Sequence, residues 1–263
     1  MLTIAGFDPS SGAGITADLK TIAAHGLYGI ACITALTVQS TNRVGRVHPL
    51  PPEVITETLE ELFADCPPAA VRIGMLGSAG VARAVVHFLR TRSLKIVLDP
   101  ILQSSSGVSL LDSEGFQVLK SDFLALAEVV TPNLHEASML AGFKVCDLES
   151  MRLACQKLHE LGAKNIVLKG GHLAQPTDLL AESLPDSELV FREFPGERVD
   201  TPNTHGTGCA FATAVACNLA VGMRLSDAVF MAKGYVAGAL RSAYPVGGGP
   251  GPINHLHAFK PRV

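Results

Sequence analysis

The sequence predicts a three-layer α/β/α domain with a mainly parallel central sheet and an antiparallel edge hairpin. Two observations carry this. Short apolar runs alternate with amphipathic helical stretches as far as Gly171, and such βαβ alternation predicts a parallel sheet covered on both faces. Beyond Gly171 two strand-like runs flank Pro185-Asp186-Ser187, which reads as an antiparallel hairpin. Composition agrees, since 263 residues with 48% hydrophobic and 17% charged side chains describe a globular chain able to bury a large core. No repeat, low-complexity tract or linker divides the sequence, so residues 1–263 are expected to form one domain.

Taken in order, the strand-like runs fall at 2–5, 29–34, 70–73, 95–98, 129–131 and 165–168. Helical stretches lie near 13–25, 53–65, 79–92, 113–126, 134–141 and 148–161. The stretch 79–92 shows why: Val81, Val85, Phe88 and Leu89 share one face, as a core-facing helix requires. The hairpin strands lie near 179–184 and 189–194, and helices near 208–221 and 225–242 follow.

A net charge of −3 offers no basic surface to a nucleic-acid backbone, so the expected partner is a small molecule. Six cysteines (32, 66, 146, 155, 209 and 217) form no C-x-x-C pair and no zinc-like block. Most sit in apolar runs, as free buried thiols in a reducing cytosol do. The first apolar run breaks at Gly6 and Asp8 with no basic lead, which does not read as a signal peptide. No stretch approaches the roughly 20 apolar residues of a membrane span. A soluble cytoplasmic protein without a membrane partner is expected.

In open α/β sheets, ligands bind beyond the carboxyl ends of the strands. Every strand here is followed by polar or glycine residues: Gly6-Phe7-Asp8-Pro9-Ser10-Ser11-Gly12-Ala13-Gly14, Val38-Gln39-Ser40, Gly74-Met75-Leu76, Asp99-Pro100, Pro132-Asn133-Leu134-His135-Glu136 and Lys169-Gly170-Gly171-His172. One sheet edge is thereby crowded with chemistry. Asn203-Thr204-His205-Gly206-Thr207-Gly208-Cys209 then opens an alanine-rich helix. Its turn aims backbone N–H groups and the positive end of a helix dipole at one spot, where phosphate oxygens can sit and a thiolate at Cys209 would be favoured. An anion cradle holding a potential base points to phosphoryl transfer.

Other patterns narrow the ligand. Gly12-Ala13-Gly14 lacks the dinucleotide spacing, and no Gly-Lys-Ser/Thr occurs, which disfavours NAD and P-loop sites. Asp18, one turn into the next helix, reads as a surface carboxylate or as an acceptor for a ligand's exocyclic amine. Asp99 and the Asn133-x-x-Glu136 pair are candidate ligands for hydrated Mg²⁺, which usually takes one or two carboxylates with water and phosphate. Lys169 ends a strand before two glycines and reads as a phosphate partner or as a solvated lysine.

The motifs Leu2–Ile15, Ala17-Asp18-Leu19-Lys20-Thr21, Ile33–Gln39, Ile73-Gly74-Met75-Leu76, Thr131-Pro132-Asn133 with Glu136, Lys169–His172 and Asn203–Cys209 resemble the hydroxymethylpyrimidine/phosphomethylpyrimidine kinases of thiamine biosynthesis, within the ribokinase-like superfamily. Asn254-His255-Leu256-His257-Ala258 looks like that family's ending, and the resemblance runs almost end to end. It implies a ribokinase-like fold, ATP and Mg²⁺ as cofactors, a homodimer, and two successive phosphorylations of 4-amino-5-hydroxymethyl-2-methylpyrimidine. It also implies a division of labour. Gly206, Thr207 and Gly208 form the anion hole, and Cys209 is the base where most ribokinase-like kinases carry Asp. Gly6, Asp18, Gln39, Met75 and Ile101 surround the ring. Asp99, Asn133, Glu136, Lys169 and Thr204 face ATP, with Asp99 and Glu136 meeting the metal through water. The chain departs from the family at Gln103-Ser104-Ser105-Ser106-Gly107, where many relatives carry a lysine; the serines would donate hydrogen bonds instead. The alternatives are a pyridoxal/pyridoxine kinase of the same superfamily and a non-catalytic pyrimidine-binding paralogue.

Overall fold

The computed structural model describes residues 1–104, 107–184 and 188–259. The first half runs β1 (Leu2–Phe7), α1 (Gly14–Ala24), β2 (Ile30–Gln39), β3 (Val44–Pro49), α2 (Pro52–Asp65), β4 (Ala70–Ile73), α3 (Ala79–Leu89) and β5 (Lys95–Leu98). Next, α4 (Ser113–Val118) passes through a π-helical turn (Leu119–Phe123) into α5 (Leu124–Leu126). Then come β6 (Val129–Val130), α6 (Leu134–Ala141), α7 (Leu148–Glu160), β7 (Asn165–Leu168), β8 (Thr177–Ser183) and β9 (Leu189–Pro195). Two helices follow, α8 (Thr207–Ala220) and α9 (Leu225–Arg241).

The described strands form one nine-stranded sheet in the order β3-β2-β1-β4-β5-β6-β7-β8-β9. From β2 to β7 the pairing is parallel, with Ile4 level with Cys32 on one side and Ile73 on the other. The fold class is therefore the expected one. The expected hairpin is present as β8 and β9, although its turn residues Pro185-Asp186-Ser187 lie outside the described residues. A second antiparallel edge was not expected. Strand β2 continues five residues past 34 to Gln39 and pairs with β3. Because β3 is an edge strand, its terminal Pro49 and its Gly45 are tolerated there, and both weakened its signal in the sequence.

Alternation along the strands builds two cores. Ile96 and Leu98 of β5, Ile166 and Leu168 of β7, and Leu179 of β8 face the layer that contains α2, α3 and α7. Val97, Val167 and Leu180, one residue out of phase, face α8 and α9. Helix α8 is buried from Cys209 to Leu219, because it lies between the sheet, α1 and α9. A helix apolar on all sides belongs there. The chain leaves β1 toward β2 on one side and returns to β4 on the other, so the loops after β1 and β4 part at a crevice. The N-terminus of α8 opens onto that edge.

Candidate active site

Helix α8 begins at a left-handed glycine. Gly206 has φ +83°, and a Cβ there would run into the Gly12 carbonyl oxygen, so the turn and the β1–α1 loop interlock only with glycine at this position. Gly14 does the same opposite the Gly6 carbonyl, with φ +59°. The Thr204 carbonyl closes the turn by accepting from the N–H of Thr207 at 3.3 Å and from its hydroxyl at 2.6 Å. Thr204 itself is exposed on the rim. Cys209 follows in the first turn, with its side chain buried.

Arg72 sits directly behind that thiol. Its neighbours Val71 and Ile73 face the α2/α3 core, so alternation turns Arg72 toward α1 and α8, fully buried. Nη1 donates to Asp18 Oδ2 at 2.9 Å, Nη2 donates to Asp99 Oδ2 at 2.9 Å, and the guanidinium charge acts on the Cys209 thiol. Gly74 makes the room, because a Cβ on it would strike the guanidinium. The series continues to Lys169, whose Nζ donates to Asp99 Oδ1 at 2.7 Å and lies 3.3 Å from where a Gly208 Cβ would stand. Charges thus alternate in sign from the buried Asp18, Arg72 and Asp99 to the partly exposed Lys169. That alternation is what lets three charges share a dry site.

This arrangement removes one of the two readings of Asp18. It is no surface carboxylate: it is completely buried, and its carboxylate accepts from Thr3 Oγ1 (2.6 Å), Arg72 and Thr213 Oγ1 (2.8 Å). It is the floor under Arg72, because the helical period that places it one turn in turns it toward the sheet. Burial also works against the thiolate expected at Cys209. Burial pushes its thiol above the ordinary value, and Arg72 opposes that push without reversing it.

On the other side, Asn133 and Glu136 form a capping box at the start of α6. Asn133 Oδ1 accepts from the Glu136 N–H at 2.9 Å, and Glu136 Oε2 accepts from the Asn133 N–H at 2.8 Å. Burial raises the Glu136 carboxyl to about 7, against the pull of Lys169. Burial alone would also raise Asp99, but Lys169 and Arg72 hold it below the ordinary carboxylate range. Among the described residues no group of three or more His, Cys, Asp or Glu converges as a metal cage. Magnesium takes one or two carboxylates, so Glu136 fits such an ion, while Asp99, with both oxygens engaged, fits only from behind a water.

The remaining expected residues gather beyond the crevice. Met75 packs with Ala35 and Leu110 in a small apolar cluster, joined by Ile101 and by Val47 from β3. Gly6 lies beneath it, since a Cβ there would come 2.7 Å from the Met75 sulfur. Gln39, at the end of β2, reaches toward His205 in the anion-hole turn, 3.4 Å away. Of the loop that departs from the family, Ser105 and Ser106 lie outside the described residues, while Gln103 contacts His135 at 3.1 Å. Sequence reasoning missed Arg72, Asp8 and His205. A lone arginine in the apolar run Ala70–Ile73 was the available signal for the first. Of the cysteines, 32, 155, 209 and 217 are buried and free, whereas 66 and 146 are exposed because their apolar neighbourhoods end at helix boundaries.

The chain as a whole has relatives. A family model described as phosphomethylpyrimidine kinase matches residues 8–254. The thiamine biosynthesis bifunctional protein ThiED of Geobacter sulfurreducens is 43% identical over 261 residues, which is 98% of this chain and 52% of that protein, so the chain spans about half of it. The hydroxymethylpyrimidine/phosphomethylpyrimidine kinase of Aquifex aeolicus is 39% identical over 94% of this chain and 96% of its own. Among solved structures, the phosphomethylpyrimidine kinase of Clostridium difficile matches with a TM-score of 0.79 at 35% identity, covering 91% of this chain and 98% of that one. An ADP complex of Bacillus subtilis pyridoxal kinase matches at 0.88 with 32% identity, covering 98% and 97%. The chain is a phosphotransferase and belongs to the phosphomethylpyrimidine kinase family.

Proposed function

We propose that the protein transfers the γ-phosphoryl group of ATP to the hydroxymethyl oxygen of 4-amino-5-hydroxymethyl-2-methylpyrimidine, and then phosphorylates the monophosphate to the diphosphate, for thiamine biosynthesis. The observation that carries this reading is the convergence of Cys209, Lys169 and the N-terminal turn of α8 at one sheet edge. The backbone N–H groups of Gly206 to Cys209 would stabilise the transferring group; one such donor is worth about 3 kcal/mol in acyl-transfer enzymes. Lys169 would neutralise phosphate charge, with Asn133, Glu136 and Thr204 on the ATP side. When bound, Mg²⁺ would supply charge neutralisation to the phosphates, and Glu136 would hold it through water.

Cys209 accepts the alcohol proton. A positioned base need be only partly ionised to act, so a minor thiolate population supported by Arg72 suffices. A resting thiol also lets an anionic monophosphate approach, whereas a carboxylate would repel it. Gly6, Gln39, Met75 and Ile101 hold the ring. The family resemblance extends the proposal to a cytoplasmic homodimer; among the described residues no helix is long and apolar enough to cross a membrane. Pyridoxal kinase activity is the second reading, favoured by the 0.88 TM-score to the Bacillus enzyme. Competition separates them. With both alcohols at equal concentration, the pyrimidine should be phosphorylated first, and preferential formation of pyridoxal phosphate would replace the first reading with the second.

A further inference from the structure

His205, in the anion-hole turn, plays no part in the mechanism above, yet it is tightly held. Its Nε2 lies 2.8 Å from Asp8 Oδ2. Asp8 also accepts from the N–H and hydroxyl of Ser10 (2.8 and 2.7 Å) and from the N–H of Ala13 at 3.0 Å. Burial would raise the Asp8 carboxyl, but hydrogen bonds from His205 and Ser10 outweigh it and hold the group below its ordinary value. An ionised carboxylate only accepts, so His205 Nε2 carries a hydrogen and gives it to Asp8. Gly12 leaves space for the imidazole, since a Cβ there would overlap the ring.

That hydrogen constrains Gln39. The Gln39 Nε2 faces the same His205 Nε2 at 3.4 Å, donor against donor. The Gln39 Oε1 faces the Thr37 hydroxyl at 3.2 Å, and that hydroxyl gives its one hydrogen to the Phe7 carbonyl at the shorter distance of 2.9 Å. Turning the amide by half a turn relieves both clashes: Nε2 then donates to Thr37, and Oε1 becomes a second, longer acceptor for the hydrogen that His205 gives to Asp8.

We propose that Asp8 and His205 are positioning residues that fix the Gln39 amide with Oε1 toward His205 and Nε2 toward Thr37, and so set the order in which the substrate ring meets donor and acceptor. The proposal rests on the pyrimidine-kinase reading. One lone pair on Oε1 and one hydrogen on Nε2 remain, in a fixed order that complements an amine beside a ring nitrogen. Without the imidazole, the amide is free to turn, and a ring lacking the amine meets no penalty. Polar groups placed for one hydrogen-bonding pattern discriminate far better than apolar walls do.

The test measures kcat/KM for hydroxymethylpyrimidine and for pyridoxal in the wild type, His205→Leu, His205→Gln and Thr37→Val, with Tm and ADP binding checking the fold. His205→Leu should lower the pyrimidine-to-pyridoxal ratio roughly tenfold, mainly through a higher KM for the pyrimidine, as expected for one misdirected hydrogen bond. His205→Gln, which restores an N–H near the position of Nε2, should recover most of the ratio. Thr37→Val frees the amide's other end without altering the turn and should shift the ratio in the same direction even if His205→Leu fails to fold. Equal losses on both substrates, or a fall in kcat with the ratio unchanged, would show a purely structural role and overturn the proposal. A wild type inert toward hydroxymethylpyrimidine would overturn the pyrimidine reading and this one with it, whereas an unchanged ratio in an active enzyme overturns this one alone.

Discussion

Cys209 is a thiol under two opposed pulls, burial raising it and Arg72 lowering it, with burial ahead. Its base form therefore grows as pH rises, so kcat/KM should climb on the alkaline side of neutrality. Cys209→Ala should lower kcat about 10²–10⁴-fold, the usual worth of a positioned base, and should abolish that climb. Cys209→Asp should keep the first phosphorylation and slow the second, because a carboxylate faces the monophosphate. Product ratios would check it, and an unchanged second step would refute the repulsion argument. Arg72 has a different test. Arg72→Met leaves Asp18 with hydroxyl donors alone and should cost about 3–5 kcal/mol, read as a lower urea midpoint with the same slope. Cys209, Lys169 and Glu136 were legible in the sequence because each follows a strand or opens a helix. Arg72 was not, because nothing in a four-residue run says which layer its second face meets. The burial of Asp18 was not legible for the same reason: periodicity gives a helix face, not what covers it.

At the scale of elements, two helix N-termini define the site, and each makes a prediction. In α8, Gly206→Ala forces a Cβ against the Gly12 carbonyl and displaces the anion hole. Misplacement by about an ångström costs roughly 10²-fold, so kcat should fall by that order while ADP still binds. In α6, Glu136 is buried with its carboxyl raised from 4.5 to about 7. Between those values the folded state binds more protons than the unfolded one, so stability falls as pH rises through that window. Unfolding without divalent ions should show that fall in the wild type and its loss in Glu136→Gln; equal slopes would contradict the burial argument. Helices were legible nearly to the residue, since amphipathic periods and caps are local signals. Strand β3 was not, because an exposed edge strand carries no buried face to set a period.

Across the whole molecule, the crevice between β1 and β4 joins an apolar cluster around Met75 and a charged edge near Lys169. The family resemblance was legible because its motifs fall in the loops that the parallel strands bring to one edge. Their mutual wiring was not, since contacts such as Thr213 to Asp18 join residues 195 apart. The central claim is that one cysteine-based site phosphorylates the pyrimidine twice. A product-resolved time course with ATP, Mg²⁺ and hydroxymethylpyrimidine tests it most directly. The monophosphate should appear first and the diphosphate after it, with both absent or strongly slowed in Cys209→Ala. ATP turnover without either product, or Cys209→Ala yielding both at the wild-type rate, would contradict it.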